Sequence, residues 1–301
     1  MYIRLCTSTL PPARMHPHFQ QDELMSGNAF DLNNRHVVIT GGASGIGFAL
    51  AKGLGQRGGR IMIAEPDEAR LAAAVESLAS FGVDACYQIC DVTDLDQMEQ
   101  LADAAWEKFG RVDMFFNNAG IGIGQVPIID TPMEDVHRVF DVNFFGVCHG
   151  CRVFGRRFVE QGSPAGIYNT GSENSLFNAV PNNAAYLGTK HAVLGLTDNL
   201  REQMPDFVNV GLIIPGFVKS GLTEAVAHLA MDTDEFAGIV LKQVEAGSFY
   251  IVSHAYNMHH IQDRYDEIAA AYEAFAPRYD GDEEYDVRYL LAQMRAQRDS
   301  S

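Results

Sequence analysis

The chain has 301 residues, of which 47% are hydrophobic and 20% charged. This size and composition are ordinary for a globular protein that buries a core without help from disulfides or metals. Its formal net charge of −17 argues against nucleic acid or a membrane surface as a partner, because both present negative phosphates that such a chain repels.

The five cysteines stand at positions 6, 86, 90, 148 and 151. Their odd number and wide spacing are not those of a disulfide framework and predict a reducing, cytoplasmic location. Cys148 and Cys151 form a C-x-x-C, a spacing used by redox and metal sites. Because the pair lies in an apolar helical stretch without a second pair, we favour a packed helix face and predict no metal site.

The chain contains no run of about 18 apolar residues, so no membrane span is predicted. Residues 1–30 also lack the continuous apolar segment of a secretory signal. We interpret them as a flexible extension, in which Met25 is an alternative start.

From residue 35 onward, short apolar runs alternate with longer helical patterns. Strict alternation indicates parallel strands covered by helices on both faces. We therefore predict an α/β fold with a single doubly wound parallel sheet over residues 31–256, which binds its ligands at the carboxyl ends of the strands. The predicted strands are 35–40, 60–64, 85–89, 112–116, 166–170, 209–214 and 249–252, and the predicted helices are 46–55, 68–80, 95–109, 133–160 and 184–204.

The C-terminal pattern differs, with two helices rich in charged residues and tyrosine predicted over 259–276 and 283–296. We predict that residues 257–301 form a helical appendage on the same domain. Residues 222–244, which are apolar with acidic interruptions, are predicted to form a pair of amphipathic lid helices over a substrate site.

A glycine-rich segment, Thr40-Gly-Gly-Ala-Ser-Gly-Ile-Gly47, follows the first predicted strand. Glycines permit a tight turn beside a pyrophosphate, and the next helix offers free N–H groups and a positive dipole end. The T-G-x-x-x-G-x-G spacing between strand and helix resembles that of the short-chain dehydrogenases/reductases. The resemblance implies a Rossmann-type fold with nucleotide contacts from Gly41, Ser44, Gly45, Ile46 and Gly47.

An acidic residue, Glu65, ends the second predicted strand. A carboxylate there accepts hydrogen bonds from the adenosine ribose hydroxyls and repels a 2′-phosphate. No basic residue follows immediately, and position 44 is Ser where NADP-preferring relatives often carry Arg or Lys. The predicted cofactor is therefore NAD.

Three further motifs of the family follow the third, fourth and sixth predicted strands, in the order that the family has them. By resemblance, an acid–hydrophobe pair contacts the adenine, an N-N-A-G turn lines the cofactor, and a Pro-Gly loop receives the nicotinamide carboxamide. The residues that match are Asp91 and Val92 for the pair, Asn118, Ala119 and Gly120 in the turn, and Pro215, Gly216, Val218 and Ser220 in the loop.

The spacing Tyr186-Leu-Gly-Thr-Lys190 places a phenol and an ammonium on one face of a helix. A nearby cation stabilises a phenolate, so we expect Lys190 to lower the pKa of Tyr186 toward neutral pH. The family resemblance implies that Tyr186 exchanges a proton with the substrate oxygen, that Lys190 holds the nicotinamide ribose, and that both residues contact the cofactor. It also implies that Asn143 interrupts the long helix and holds a water of a proton relay.

The family's substrate-binding serine is matched by Ser172, although the gap to Tyr186 is 14 residues instead of the usual 13. Ser175 is the alternative, and Glu173 either tunes substrate choice or points to solvent. The resemblance as a whole implies an NAD-dependent oxidoreductase that interconverts a secondary alcohol and a ketone.

We expect a sizeable apolar or aromatic small-molecule substrate and a homodimer or homotetramer. Two alternatives remain. A non-catalytic NAD-sensing regulator would have no need of Tyr186, Lys190 and Asn143 together. An epimerase or dehydratase of the same family would have a different glycine spacing and a larger substrate domain.

Overall fold

A computed structural model of the protein describes residues 29–221 and 228–299. Its sheet has seven strands, all parallel, whose bounds are β1 His36–Thr40, β2 Arg60–Glu65, β3 Asp84–Ile89, β4 Met114–Asn117, β5 Ala165–Thr170, β6 Val208–Ile214 and β7 Tyr250–Val252. They are ordered β3-β2-β1-β4-β5-β6-β7. The predicted doubly wound α/β fold is thus confirmed, and the strand order reverses between β1 and β4.

Helices cover both faces of the sheet, with bounds α1 Gly45–Gly55, α2 Glu68–Ser80, α3 Leu95–Phe109, α4 Met133–Phe140, α5 Gly146–Gln161, α6 Ala184–Gln203 and α7 Thr233–Glu245. Side chains alternate along each strand, so neighbours in sequence enter different cores. In β1, Val37 and Ile39 pack into the core beneath α1, α2 and α7. Val38 packs into the core beneath α3, α5 and α6.

The predicted long helix 133–160 is interrupted by a turn of π-helix, Asp141–Phe145, between α4 and α5. Such turns insert one extra residue into the helical ladder and are frequent at functional sites. Asn143, the residue expected to break this helix, lies inside the turn and is fully buried.

The prediction of paired lid helices over 222–244 is wrong for the part that the structure describes. Helix α7 belongs to the core, where Phe236, Val240 and Val244 pack with Leu50 and Leu54 of α1. The apolar spacing of a lid helix and of a core helix is the same, so the pattern could not separate them. Residues 222–227, which the lid prediction includes, and residues 1–28 of the predicted extension lie outside the described residues.

Residues 255–299 belong to a compact unit separate from the one that ends at His254. Its described part contains α8 Asn257–Phe275, a short 3₁₀ turn Asp282–Tyr285 and α9 Val287–Asp299. Among the helices of the described residues, none is long and apolar enough to cross a membrane.

Candidate active site

The phosphate-loop candidate lies in the crevice where the strand order reverses, which is where doubly wound sheets bind ligands. Gly41 and Gly45 have φ of 63° and 54°, a left-handed conformation that favours glycine. At Gly47 an added Cβ would stand 2.3 Å from the Gly41 carbonyl oxygen and 2.6 Å from Asn118 Nδ2. A side chain at Gly47 would therefore collide with the loop, and the bare backbone at this turn fits a pyrophosphate.

Asn118 ties the end of β4 to this loop. Its Nδ2 donates to the carbonyl oxygens of Thr40 and Gly41, both at 3.2 Å. In return, Thr40 Oγ1 accepts hydrogen bonds from the backbone N–H groups of Asn118 at 3.0 Å and Ala119 at 3.2 Å. The two strands that flank the crevice are thus held at a fixed separation.

Glu65 is 7% exposed, and burial raises the pKa of its carboxyl group, while the nearby Arg70 opposes that shift. Arg70 Nε lies 3.3 Å from Glu65 Oε1, and its Nη2 donates to Ser44 Oγ at 3.0 Å. Within the described residues, Oε1 is buried without a hydrogen-bond partner. Its contact with Arg70 is thus an ion pair without a hydrogen bond, and this buried oxygen can still accept from the hydroxyl groups of an adenosine ribose.

The catalytic-pair candidates Tyr186 and Lys190 lie on α6, with the Lys190 ammonium 5.6 Å from the centre of the Tyr186 ring. Lys190 is 4% exposed and its Nζ donates to the Thr170 carbonyl oxygen at 2.8 Å. Burial lowers the pKa of Lys190 to about 8. An ammonium can donate three hydrogen bonds, so this one has capacity for ribose hydroxyls.

The expectation that Lys190 lowers the pKa of Tyr186 is wrong for the protein alone. Burial raises the pKa of the Tyr186 phenol to about 12; a hydrogen bond from Ser172 opposes the shift and the charge of Glu173 adds to it. The ammonium is directed to Thr170 and not to the phenol oxygen, so desolvation dominates. Glu173 therefore acts on the electrostatics of the site.

Ser172 and Ser175 have distinct environments. The Ser172 hydroxyl is hydrogen-bonded to Tyr186 and accepts from the backbone N–H of Asn174 at 3.2 Å. Ser175 Oγ donates to the Lys190 carbonyl oxygen at 2.8 Å and accepts from the Ser172 N–H at 3.2 Å. A 3₁₀ turn, Glu173–Ser175, follows Ser172 directly. Ser172 is thus the serine placed at the phenol.

Asn143 links the π-helical turn to the loop after β4. Its Oδ1 accepts from the Ile121 N–H at 2.8 Å, and its Nδ2 donates to the Ile121 carbonyl oxygen at 2.9 Å. A Cβ added to Gly120 would stand 3.4 Å from Asn143 Oδ1 and 3.9 Å from Lys190 Nζ. Because Gly120 has no side chain, the space between Asn143 and Lys190 stays open.

The remaining predicted cofactor residues lie at the same edge of the sheet. Asp91 Oδ1 accepts from the Thr93 N–H and hydroxyl, and Val92 is buried against Gly146.

The loop after β6 contacts the turn after β5, where the Pro215 carbonyl oxygen accepts from the Glu173 N–H at 2.8 Å. Ser220 approaches the phosphate loop, since a Cβ on Gly45 would be 3.5 Å from its Cβ. Gly216 lies between Pro215 and the buried Val218, and Ile46 packs against the core.

Of the two cysteines in the C-x-x-C, Cys151 is buried, with 6% of its surface exposed. Burial raises the pKa of its thiol to about 12. Cys151 Sγ lies 3.5 Å from the side chains of Asn117 and Asn169, in a buried polar network that joins β4 to β5. The four cysteines of the described residues are free thiols. Those residues contain no group of three potential metal ligands.

Two residues of this site were missed by sequence reasoning. Arg70 lies five positions after Glu65, and only the turn into α2 returns its side chain to the strand end; the capping Asp67 was the available signal for that turn. Thr40 was noted as part of the loop motif, but its hydroxyl contact with the turn after β4 depends on which strands are neighbours.

The profile described as short chain dehydrogenase matches residues 35–229. A 1-deoxy-11-beta-hydroxypentalenate dehydrogenase of Streptomyces avermitilis is 34% identical over 242 residues, covering 77% of this chain and 89% of the relative. Secoisolariciresinol dehydrogenase of Forsythia intermedia is 32% identical, covering 72% and 78%. A short chain dehydrogenase/reductase of Burkholderia phymatum, solved in complex with NAD, is 30% identical with a TM-score of 0.76, covering 83% and 99%.

Proposed function

The chain belongs to the short-chain dehydrogenase/reductase family of oxidoreductases, and we propose that it interconverts a secondary alcohol and a ketone with NAD. The observation that carries this proposal is the cluster of Ser172, Tyr186 and Lys190 at the end of the sheet that also holds a glycine-rich loop and the buried carboxylate of Glu65. The overall reaction converts alcohol and NAD⁺ to ketone, NADH and a proton.

Ser172 and Tyr186 hold the substrate oxygen between two hydroxyl groups. Ser172 donates a hydrogen bond to that oxygen, and Tyr186 as phenolate accepts the proton of the alcohol. NAD⁺, when bound, supplies the acceptor for the hydride that leaves the carbinol carbon. In ketone reduction Tyr186 returns its proton to the oxygen.

Lys190 and Asn143 support the proton transfer at Tyr186. The Lys190 ammonium holds positive charge beside the Tyr186 ring, and its remaining N–H groups would bind the nicotinamide ribose hydroxyls. Asn143 keeps the loop at Ile121 in place, and it would hold a water that connects Lys190 to solvent. The proton taken up by Tyr186 leaves by this relay.

The dinucleotide is held along the carboxyl edge of the sheet. Gly41, Ser44, Gly45, Ile46 and Gly47 would surround the pyrophosphate. Asp91 and Val92 would contact the adenine, and Asn118, Ala119 and Gly120 would line the cofactor. Glu65 accepts from the ribose hydroxyls. The loop with Pro215, Gly216, Val218 and Ser220 receives the carboxamide.

For the substrate we propose a sizeable apolar or aromatic alcohol. The relatives named above are described as dehydrogenases of a hydroxypentalenate and of secoisolariciresinol. The test is a screen in which the purified full chain and NAD⁺ are offered aliphatic, steroidal and aryl secondary alcohols. We expect NADH to form with members of the last two groups, and far less NADPH when NADP⁺ replaces NAD⁺. Absence of reduced cofactor with every alcohol would favour the regulator alternative.

The rate of oxidation should depend on pH in a direction set by Tyr186. Because its pKa is raised to about 12, the phenol is protonated near neutral pH, and the fraction of phenolate rises by up to about tenfold per pH unit. We expect kcat/KM for oxidation to rise with pH and to flatten above about 8, where Lys190 loses its charge. Ketone reduction should not rise. Initial rates in both directions measure this, and an oxidation rate that falls with pH would contradict it.

Replacing each serine separately distinguishes their roles. Ser172→Ala should lower kcat by about 10²-fold, as expected for loss of one donor to the reacting oxygen. Ser175→Ala leaves the Lys190 carbonyl and the Ser172 N–H without their partner, so it should lower the free energy of unfolding by about 1–3 kcal/mol. Steady-state kinetics and denaturant titration measure the two effects; a Ser175→Ala protein that is stable and inactive would reverse the assignment.

A further inference from the structure

The C-terminal unit carries an apolar surface along α8. Six side chains recur at alternating spacings of three and four residues, and we name this set the α8 seam: Met258, Ile261, Tyr265, Ile268, Tyr272 and Phe275. A 3–4 alternation is the pattern of helices that pack side by side. The surface is open, since Tyr272 is 65% and Phe275 89% exposed.

A second apolar stripe lies on α9 and consists of Val287, Leu290, Leu291 and Met294, all of them exposed. The two stripes therefore do not cover each other within the described residues of this unit. Each stripe groups several exposed apolar side chains on one helix, and grouped apolar surface of this kind marks interaction sites.

The charges around these stripes suit a second copy of the same chain. The positions that flank the α8 seam hold Gln262, Arg264, Ala269 and Ala271, so two seams can meet without opposing carboxylates. The acidic side chains Asp263, Asp266, Glu267 and Glu273 lie on the other faces of α8. Helix α9 carries Arg288, Arg295 and Arg298, and their positive charges complement the negative charges of the acidic residues on α8.

The area is also sufficient for a stable interface. Three of the six seam residues are aromatic and bury large areas on contact. A standard interface buries about 800 Å² per partner, and nine of the ten side chains in the two stripes are large, exposed apolar groups that can contribute to it. A two-fold axis lets each copy present the same patch. We propose that α8 and α9 of one chain pack against α8 and α9 of a second copy, forming a dimer contact through the C-terminal unit.

A photo-cross-linking experiment on the full chain tests this contact. The photoreactive residue p-benzoylphenylalanine replaces Tyr272 in one protein and Ala274, on the opposite face of α8, in the matched control. After irradiation, we expect the first protein to yield a covalent species of two chains whose cross-linked peptides come from residues 257–299. The control should yield far less of this species, because its probe lies on the opposite face of α8 and does not reach the second copy.

Single substitutions on and off the α8 seam test whether the cross-link depends on this surface. In the Tyr272 probe protein, Ile268→Glu buries a charge in the contact and should remove the two-chain species, whereas Ala270→Glu on the opposite face should leave it unchanged. Cross-links confined to one chain, including cross-links to residues 1–28, would overturn the proposal, because the seam would then be covered by its own chain. The absence of any cross-link from position 272, or a cross-link to an unrelated protein, would overturn it as well.

Discussion

Replacement of Tyr186 by Phe is expected to lower kcat for alcohol oxidation by roughly 10³-fold, within the usual range for loss of a general acid–base group. The substitution removes the oxygen that takes the substrate proton and keeps the ring beside Lys190. Because the ring still fills its place, we expect NAD binding to remain within a few-fold of the original. Steady-state kinetics and a titration of NADH fluorescence measure the two quantities.

The matched control is Tyr168→Phe, since Tyr168 is the buried tyrosine at the centre of β5. Its hydroxyl has no substrate to contact, so this protein should retain its kcat. Turnover that survives Tyr186→Phe would remove Tyr186 from the chemistry. Loss of NAD binding in that protein would instead assign the phenol to the nucleotide site.

The second large effect is expected at Glu65. The buried carboxylate repels a 2′-phosphate, and replacement by Ser removes that charge and releases Arg70 from its 3.3 Å ion pair. Arg70 also donates to Ser44 Oγ in the phosphate loop, so it lies where a phosphate would meet it. We expect Glu65→Ser to shift the ratio of kcat/KM values from NAD toward NADP by about 10²-fold, equivalent to about 3 kcal/mol.

Two further proteins isolate the cause of this shift. Glu68→Ser removes an exposed carboxylate on the first turn of α2 and should leave the cofactor ratio unchanged. Glu65→Ser combined with Arg70→Ala should lose most of the gain in NADP use while still binding NAD. A wild-type chain that prefers NADP would contradict the assignment of Glu65.

The sequence predicted the fold and the position of the polar motifs well, because both depend on order along the chain. Strand–helix alternation determined the parallel sheet, and the glycine spacing was interpretable because it followed β1 directly. The interruption at Asn143 was anticipated by resemblance, and the structure locates it in a π-helical turn.

What the sequence could not predict depends on packing between distant residues. Helix α7 has the pattern of any amphipathic helix, and only its contact with α1 shows that it belongs to the core. The pKa of Tyr186 was predicted in the wrong direction because spacing places Lys190 on the same face but does not show that its ammonium turns to Thr170. Arg70 at Glu65 was missed for a similar reason.

The most direct test of the central claim is to follow a hydrogen isotope. A secondary alcohol that reduces NAD⁺ in the screen is prepared with deuterium on its carbinol carbon and incubated with the full chain and NAD⁺. The proposed reaction predicts that the reduced cofactor carries that deuterium and that ketone forms in equal amount, as judged by mass spectrometry. Release of the deuterium to water, or conversion of the alcohol with no net reduction of NAD⁺, would contradict it.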